Sequence, residues 1–160
     1  PRRFLNISTD KAVKPSTLYG TTKLLSEKLV SWAGIHLPST KFGTVRLGNI
    51  IESKGNVFEI WEEEKMKNES LSITDPLMKR YFMHIDNAVD FVLEALFIIK
   101  RGEILVPKMK EFKIKEMASK ISSRQKIIGK REKEKMNEIL LTEEEKEKSH
   151  ETKNMWIIKQ

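Results

Sequence analysis

Residues 8–23 read STDKAVKPSTLYGTTK, and this stretch decides the fold. The mainly apolar residues 4–7 before it are typical of a buried parallel strand, and the polar residues that follow mark the end of that strand. Pro15 and Ser16 then mark the start of a helix. The stretch therefore predicts a strand that delivers Asp10 and Lys11 to the edge of a sheet, followed at once by a helix.

Tyr19 and Lys23 stand four residues apart, so the predicted helix carries both side chains on one face. A neighbouring ammonium favours the ionised form of a phenol, and such a pair can act as a base towards a sugar or alcohol hydroxyl. Many helices hold a tyrosine and a lysine at this spacing by chance, and a solvated helix face is the alternative interpretation. The Ser-Thr-Asp-Lys run at the end of the strand favours the catalytic interpretation.

The spacing of apolar residues predicts that the helix covers residues 16–32 and that Gly34 ends it. The leucines expected on its buried side are Leu18, Leu24, Leu25 and Leu29. The next strand is expected over residues 40–50. By the handedness of such connections, this strand should run parallel to the first one.

The remaining pattern predicts an alternation of further helices and strands. The expected helices cover residues 57–66, 87–99 with Asp86 as N-cap, a short stretch ending at 122, and 136–141. The expected strands cover residues 71–74, 103–107, 112–114 and 155–158, the last as an edge strand. The mixed charges of residues 143–148 are most simply a solvated helix end or loop.

The motifs Ile7-Ser8-Thr9-Asp10-Lys11-Ala12 and Leu18-Tyr19-Gly20-Thr21-Thr22-Lys23 resemble those of the extended short-chain dehydrogenase/reductase family. Within that family they are most similar to the UDP-N-acetylglucosamine 4,6-dehydratases of the polysaccharide-biosynthesis group. Dehydratases that act on glucose nucleotides usually have Thr-Asp-Glu at the first motif, so Lys11 indicates the N-acetylglucosamine branch. Tyr19 indicates the soluble kind, because many membrane-bound members have methionine there.

The resemblance implies an α/β fold, the carboxyl-terminal half of an NAD(P)-binding Rossmann fold with an interleaved small subdomain that binds the substrate. Residues 1–50 would be the second half of the Rossmann domain. Residues 51–160 would form the nucleotide-sugar-binding subdomain, with a returning Rossmann strand near residues 103–107. The chain contains no Gly-x-Gly-x-x-Gly turn, the phosphate-binding start of a dinucleotide fold, so the first half is expected to be absent.

For the chemistry, the resemblance implies that Tyr19, assisted by Lys23, takes the proton from the sugar 4-hydroxyl. Both residues would also contact the cofactor, which is NADP or NAD. Lys11 would remove the proton at C5 as a base, and Asp10 would protonate the departing 6-hydroxyl as an acid. The sequence cannot choose between the two cofactors, because the discriminating residue lies in the absent half.

The resemblance further assigns contacts with a UDP-sugar. The residues concerned are Thr9, Asn49, Arg80, Arg131 and Glu134. Two departures from the family pattern affect this site: Glu52 stands where the family has glycine, and the Pro-Gly turn after Arg131 is missing. Because Glu and Lys favour helix, we expect a helix to replace that turn. A turn residue that satisfies its own backbone is the alternative interpretation for Asn49.

Composition restricts the class of protein. The formal net charge of +7 would attract an anion such as a nucleotide diphosphate, whereas interleaved acidic residues and few aromatic residues disfavour nucleic-acid binding. No apolar run reaches the ~18 residues of a membrane span. The absence of cysteine suits a cytoplasmic protein. No metal site is expected, since His84 has no second histidine or cysteine near it, and the family resemblance implies a homo-oligomer.

Two other functions remain open from the sequence. The chain could be a truncated, non-catalytic remnant of the fold, as the missing glycine turn, Glu52 and the altered turn after Arg131 all suggest. It could also belong to a nucleotide-sugar epimerase that uses the same tyrosine and lysine. The Asp10-Lys11 pair argues against the epimerase.

Overall fold

The computed structural model describes residues 1–159, in which strands and helices alternate from the first residues onward. The strands are β1 (Arg3–Thr9), β2 (Lys41–Leu47), β3 (Asn49–Ile50), β4 (Leu71–Ile73), β5 (Lys79–Met83), β6 (Glu103–Pro107), β7 (Glu111–Lys113), β8 (Gln125–Ile127), β9 (Ser149–Glu151) and β10 (Met155–Ile158). The helices are α1 (Leu18–His36), α2 (Val57–Met66), α3 (Ile85–Ile98), α4 (Ile114–Ser119) and α5 (Glu143–Glu147). A short 3-10 turn, Asp10–Ala12, follows β1 directly.

The chain divides into two units, and each is formed by more than one segment of the sequence. The first unit comprises Pro1–Gly48, Asp86–Lys108 and the chain from Ile139 onward, and the second comprises Asn49–Ile85 and Met109–Glu138. The first transition between the units falls after Gly48, and the first unit also contains β6, most of α3 and the segment from Ile139.

The first unit is built on a five-stranded sheet with the order β1-β2-β6-β10-β9. β1, β2 and β6 are parallel, whereas β10 and β9 are antiparallel additions. The expected parallel strand-helix-strand unit is therefore present. β10 lies inside the sheet rather than at its edge, since β9 pairs with its other side. The buried apolar side chains of β2 and β6, Val45, Leu47, Ile104, Leu105 and Val106, are typical of central parallel strands.

Helix α1 differs from its prediction in both length and orientation. It runs through to His36, so Gly34 lies inside the helix and does not end it. Glycine is needed at this position because a Cβ there would lie 2.4 Å from the Gly102 nitrogen. The residues that α1 buries are Gly20, Glu27, Ser31 and Gly34. Small and polar residues face the sheet because the backbone of α1 approaches it closely. Leu18, Leu25 and Leu29 are therefore more than half exposed, and their predicted burial is wrong.

The second unit has its own apolar core, formed by Trp61, Leu71, Ile73, Met78, Phe82, Ile114 and Ala118. Trp61 is fully buried, and its indole N–H donates to the Ser72 carbonyl at 2.8 Å, so its one polar atom is satisfied. Two small sheets support this core, with the orders β3-β5-β7 and β4-β8.

Two further helix predictions are corrected. Helix α3 begins at Ile85 rather than Asn87, because the Glu52 carboxylate accepts the Ile85 backbone N–H at 2.9 Å. Asp86 is consequently in the first turn and does not act as the N-cap. Residues 131–141 form no helix, because tertiary hydrogen bonds to their backbone replace the helical ones, and Lys133 has a positive φ of 63°.

Candidate active site

The end of β1 places Thr9, Asp10 and Lys11 in one hydrogen-bonded group. Asp10 is fully buried, and its Oδ1 accepts from the Thr9 hydroxyl at 2.8 Å and from Lys11 Nζ at 2.9 Å. Within residues 1–159 the other carboxylate oxygen, Oδ2, has no hydrogen-bond partner. A buried acceptor without a partner is costly, and such atoms are often found where a protein binds a ligand or transfers a proton.

The start of α1 supplies the second pair of predicted catalytic residues. Thr17 caps the helix by accepting the Gly20 N–H at 3.1 Å. Tyr19 is 53% exposed, and Lys23 Nζ lies 5.9 Å from the centre of its ring. Lys23 Nζ also donates to the Ile7 carbonyl of β1 at 3.0 Å. The phenol is therefore accessible, and the ammonium lies between it and the strand.

A close backbone contact brings these two pairs together. A Cβ on Gly20 would lie 2.4 Å from the Lys11 carbonyl oxygen, so only glycine allows the first turn of α1 to approach the 3-10 turn this closely. Asp10, Lys11, Tyr19 and Lys23 consequently share one corner of the first unit, which we call the β1–α1 corner. Two ionisable side chains at the end of β1 thus lie next to two at the start of α1.

The sequence analysis did not identify the network of buried charges next to this corner. Arg46 is 1% exposed and forms paired hydrogen bonds with Glu27, from Nε at 3.0 Å and from Nη2 at 2.7 Å. It forms a second pair with Glu145, from Nη1 at 3.0 Å and from Nη2 at 2.8 Å. Ser8 donates its hydroxyl to Glu27 at 2.6 Å. The Arg46 guanidinium is therefore enclosed by protein carboxylates.

Electrostatics keep this network charged. Burial of the guanidinium acts to lower the pKa of Arg46, but the hydrogen bonds from Glu27 and Glu145 outweigh burial and raise that pKa well above its ordinary value. Burial likewise acts to raise the pKa of Glu145, yet the hydrogen bond and positive charge of Arg46 lower it overall. Arg46 and Glu145 therefore remain an ion pair at neutral pH.

In the second unit, Asn49 and Arg80 both bind backbone atoms. Asn49 donates its side-chain N–H to the Tyr81 carbonyl at 3.1 Å, the contact expected of a residue that fixes the backbone of adjacent strands. Arg80 is 8% exposed and donates to the carbonyls of Lys79, Met136 and Lys135 at 2.8, 3.0 and 2.9 Å. A contact between Arg80 and a diphosphate would require some of these bonds to be exchanged.

Glu134 connects two of the predicted substrate residues within the second unit. Its carboxylate lies 3.3 Å from Arg80 Nη2 and accepts the Arg131 backbone N–H at 3.1 Å. A further bond from the Glu134 N–H to the Arg131 carbonyl at 3.1 Å closes a turn. Arg131 itself is exposed. A hydrogen-bonded turn, and not the expected helix, thus replaces the Pro-Gly turn of the family.

Glu52, which departs from the family glycine, has a defined position in the second unit. Its carboxylate lies 2.5 Å from His84 Nδ1, and this hydrogen bond is the main reason why the pKa of Glu52 is lowered. Among the residues with described positions, no group of three or more histidine, aspartate or glutamate side chains could hold a metal.

Comparison with known proteins identifies the family. Residues 2–160 match the family described as polysaccharide biosynthesis protein. A UDP-N-acetylglucosamine 4,6-dehydratase (inverting) of Campylobacter jejuni is 34% identical over 98% of this chain and 48% of its own length. A UDP-glucose 4-epimerase of Rickettsia bellii is 35% identical with the same coverage. The chain thus spans about half the length of these curated relatives.

A solved structure shows the same fold. The dTDP-glucose 4,6-dehydratase of Streptomyces venezuelae, determined with NAD bound, superposes with a TM-score of 0.77 at 14% identity, covering 91% of this chain and 53% of that one. The expected Rossmann-type α/β fold is therefore confirmed. Within residues 1–159 no helix is both long and apolar enough to cross a membrane. The motifs, the fold and the match along the whole chain show that it belongs to the polysaccharide biosynthesis protein family, whose members matched here include nucleotide-sugar dehydratases and epimerases.

Proposed function

We propose that the chain forms the carboxyl-terminal half of a nucleotide-sugar 4,6-dehydratase that acts on UDP-N-acetylglucosamine for surface polysaccharide or glycan synthesis. The observation that carries this proposal is the β1–α1 corner, where the Asp10–Lys11 pair adjoins Tyr19 and Lys23. An alcohol oxidation needs one base, whereas removal of water across C5 and C6 needs a further base and an acid. The corner holds residues of suitable chemistry for all three tasks.

Tyr19 and Lys23 would perform the first proton transfer and hold a nicotinamide cofactor, NADP or NAD. The residues fit such a group because the phenol is half-exposed and the Lys23 ammonium uses one N–H on the Ile7 carbonyl, leaving two N–H groups that can donate to cofactor hydroxyls. A bound nicotinamide would supply a reversible acceptor for the hydride that leaves C4 and is later returned at C6. Tyr19 takes the 4-hydroxyl proton, and Lys23 stabilises the negative charge on the phenol oxygen.

Asp10 and Lys11 would perform the elimination. The 2.9 Å contact between Lys11 Nζ and Asp10 Oδ1 is short enough for a proton to pass from the ammonium to the carboxylate. That transfer yields a neutral amine, which can remove the C5 proton, and a carboxylic acid, which can protonate the departing 6-hydroxyl. The proton passes to Oδ1, so Asp10 would donate it to the departing 6-hydroxyl from that oxygen, while the partnerless Oδ2 can accept a hydrogen bond from the sugar.

The remaining predicted residues would contact the UDP-sugar. Thr9 would bind a sugar hydroxyl beside Asp10, since its own hydroxyl already forms part of that group. The exposed Arg131 side chain offers a guanidinium to a diphosphate, and Glu134 fixes the turn that carries it. Arg80 and Asn49 would act in the same subsite, Arg80 by exchanging backbone acceptors for phosphate oxygens.

We further propose that the protein is a homo-oligomer whose contact surface includes α1. Leu18, Leu25, Leu29 and Trp32 are each at least 57% exposed and recur at helical spacing along one side of the helix. An apolar stripe of this length on a charged protein is more typical of a protein contact than of a solvated face.

The experiment that tests the function is incubation of the full-length protein with UDP-N-acetylglucosamine in heavy water, followed by mass spectrometry. Loss of water together with incorporation of deuterium is the expected result. A sugar that retains its water but is inverted at C4 or C5 would contradict the dehydratase and support the epimerase, to which the Rickettsia relative is similar.

Calorimetric titration of the isolated chain with NADP and with UDP tests the non-catalytic alternative. Tight binding of both ligands would exclude a remnant without ligand sites. Binding of neither to the chain, together with an unchanged sugar in the first experiment, would favour the remnant.

A further inference from the structure

The buried charge network of Ser8, Glu27, Arg46 and Glu145 joins the two elements that form the β1–α1 corner. Arg46 donates five hydrogen bonds, two to Glu27, two to Glu145 and one to the Leu140 carbonyl at 2.9 Å. A guanidinium has five N–H groups, so every donor of Arg46 is used. A group saturated in this way holds its partners in fixed positions and has no N–H left for a ligand.

Glu27 lies on the same stripe of α1 as the two residues expected to transfer the first proton. Tyr19, Lys23 and Glu27 are spaced by four residues, so they follow one another along one side of the helix. Consecutive residues of β1 hold the last two of them: the Ile7 carbonyl accepts from Lys23 Nζ at 3.0 Å, and the Ser8 hydroxyl donates to Glu27 at 2.6 Å. Strand β1 is therefore hydrogen-bonded to two successive turns of α1.

The two hydrogen bonds differ in their exposure to water. The Lys23 contact is exposed, so water competes with it. The contact between Ser8 and Glu27 is buried, with the two residues 3% and 1% exposed. If this hydrogen bond breaks, the buried Glu27 carboxylate loses one of its partners. The buried contact is therefore the one that resists sliding of α1 along β1. Ser8 directly precedes Thr9 and Asp10, so any slide changes the distance from Tyr19 to the acid–base pair.

We propose that Ser8 and Glu27 are positioning residues for the dehydratase reaction, because their buried hydrogen bond, secured by Arg46, sets the register of α1 against the end of β1. This inference rests on the proposed function. Both side chains are bound within the protein, Ser8 to Glu27 and Glu27 to Arg46. Each acts through the placement of Tyr19 and Lys23 relative to Asp10 and Lys11.

The first test compares Glu27→Gln with Glu145→Gln in the full-length protein. Both variants remove one carboxylate charge from Arg46, but only Glu27 lies on α1, which makes Glu145→Gln a matched control. For Glu27→Gln we expect kcat for dehydration to fall about tenfold while KM changes less than twofold, because misplacement of a reacting group affects the chemical step more than binding. For Glu145→Gln we expect both constants to stay within about twofold of the original protein. Equal kcat values for the two variants, measured at the same folded fraction, would overturn the proposal.

Ser8→Ala provides a variant that is milder than the change at Glu27. It deletes only the hydroxyl that joins β1 to Glu27 and leaves both bonds between Arg46 and Glu27 in place. It is expected to lower kcat in the same direction as Glu27→Gln, by about threefold or more. Full retention of kcat in this variant would contradict the role of the buried bond, even if Glu27→Gln fails to fold.

The second test uses the chain alone and needs no catalytic activity. The sequence has two tyrosines, Tyr19 and Tyr81, so incorporation of 3-fluorotyrosine gives two fluorine NMR signals, assigned by replacing each tyrosine with phenylalanine. In Ser8→Ala and Glu27→Gln the signal of Tyr19 should shift while that of Tyr81, in the second unit, stays in place. In Glu145→Gln neither signal should move. An unmoved Tyr19 signal in all three variants would refute the register argument. A protein that removes no water refutes the proposed function, and the fluorine signals still decide the register.

Discussion

The two units of the molecule each bury one strand arginine, and they satisfy it differently. Arg46 of β2 binds two carboxylates in the first unit, whereas Arg80 of β5 binds three backbone carbonyls and one carboxylate in the second. Both residues stand at or near contacts that the family resemblance implies with a UDP-sugar: Arg46 lies three residues before Asn49, and Arg80 is one of those contacts itself. The surroundings of an arginine, and not its place in a motif, thus decide what its guanidinium can bind.

This difference has a consequence for each unit. An arginine held by two carboxylates, one of them fully buried, is fixed, because loss of either partner leaves an uncompensated charge. An arginine held mainly by neutral carbonyls of an irregular segment can exchange them for phosphate oxygens at lower cost. We therefore expect the first unit to be the rigid support of the acid–base residues, and the second unit to adapt to a ligand.

The largest effect is expected from Arg46→Met, which directly tests the fixed arginine. The substitution leaves the carboxylates of Glu27 and Glu145 without their partner, and a loss of about 3–5 kcal/mol in the free energy of unfolding is expected. Urea denaturation of the chain measures this loss. Arg101→Met, at an exposed arginine of the same unit, is the control. Similar losses of unfolding free energy for both variants would show that the ion pairs of Arg46 stabilise the fold no more than an exposed arginine does.

A smaller loss is expected from Arg80→Met in the second unit. The substitution leaves three carbonyls and one partly exposed carboxylate without a donor, and a loss of about 2 kcal/mol is expected. Hydrogen exchange of amides in α2 and β5 reports this loss separately from the first unit. Lys79→Met removes an exposed ion pair with Glu111 from the preceding residue and should cost less. A loss for Arg80→Met as large as that for Arg46→Met would abolish the comparison.

Acid provides the third test, through the lowered pKa of Glu145. A carboxylate with a lower pKa in the folded state contributes stability above its unfolded pKa, and this contribution is lost as the pH falls through the folded value. The stabilisation should therefore be complete at neutral pH and decline below the ordinary value of 4.5. Urea denaturation at several pH values between about 6 and 3 measures this decline. Glu145→Gln should reduce the dependence on pH, and an unaltered pH dependence in that variant would assign the decline to other carboxylates.

The smallest effect is expected from Glu52→Gln in the second unit. Both members of its contact with His84 are exposed, with side-chain exposures of 42% and 65%, so solvent screens the interaction. The melting temperature should change less than in Arg46→Met, Arg80→Met or Glu145→Gln. A decrease comparable to that of Arg80→Met would indicate that the cap of Glu52 on the Ile85 N–H carries more of the second unit's stability than its exposure suggests.

The sequence allowed prediction of those features that depend on neighbouring residues. The parallel strands, the helix with Tyr19 and Lys23 on one face, and the family all followed from short motifs and hydrophobic spacing. The partners of Arg46 could not be predicted, because Glu27 is 19 residues away along the chain and Glu145 is 99 residues away. A glutamate on a helix is usually solvated, so nothing in the local pattern marks Glu27 as fully buried.

The same limit explains the errors in α1. Hydrophobic spacing assigned Leu18, Leu25 and Leu29 to the core, but helix α1 turns its small and charged residues to the sheet. Gly34 resembled a helix stop, although its lack of a side chain is needed for contact with Gly102, which is distant in sequence. Long-range packing decided both features, and the local sequence contains no record of it.

Strand β1 ends the five-stranded sheet and pairs with β2 along one side only among the described strands. The backbone N–H and C=O groups on the side of β1 away from β2 form a template for another extended chain. When the isolated chain is concentrated, we expect it to recruit further copies edge to edge and to assemble slowly into fibres that bind thioflavin T. Supplying a soluble peptide that adds one strand to β1 should suppress this assembly and would make such samples easier to store.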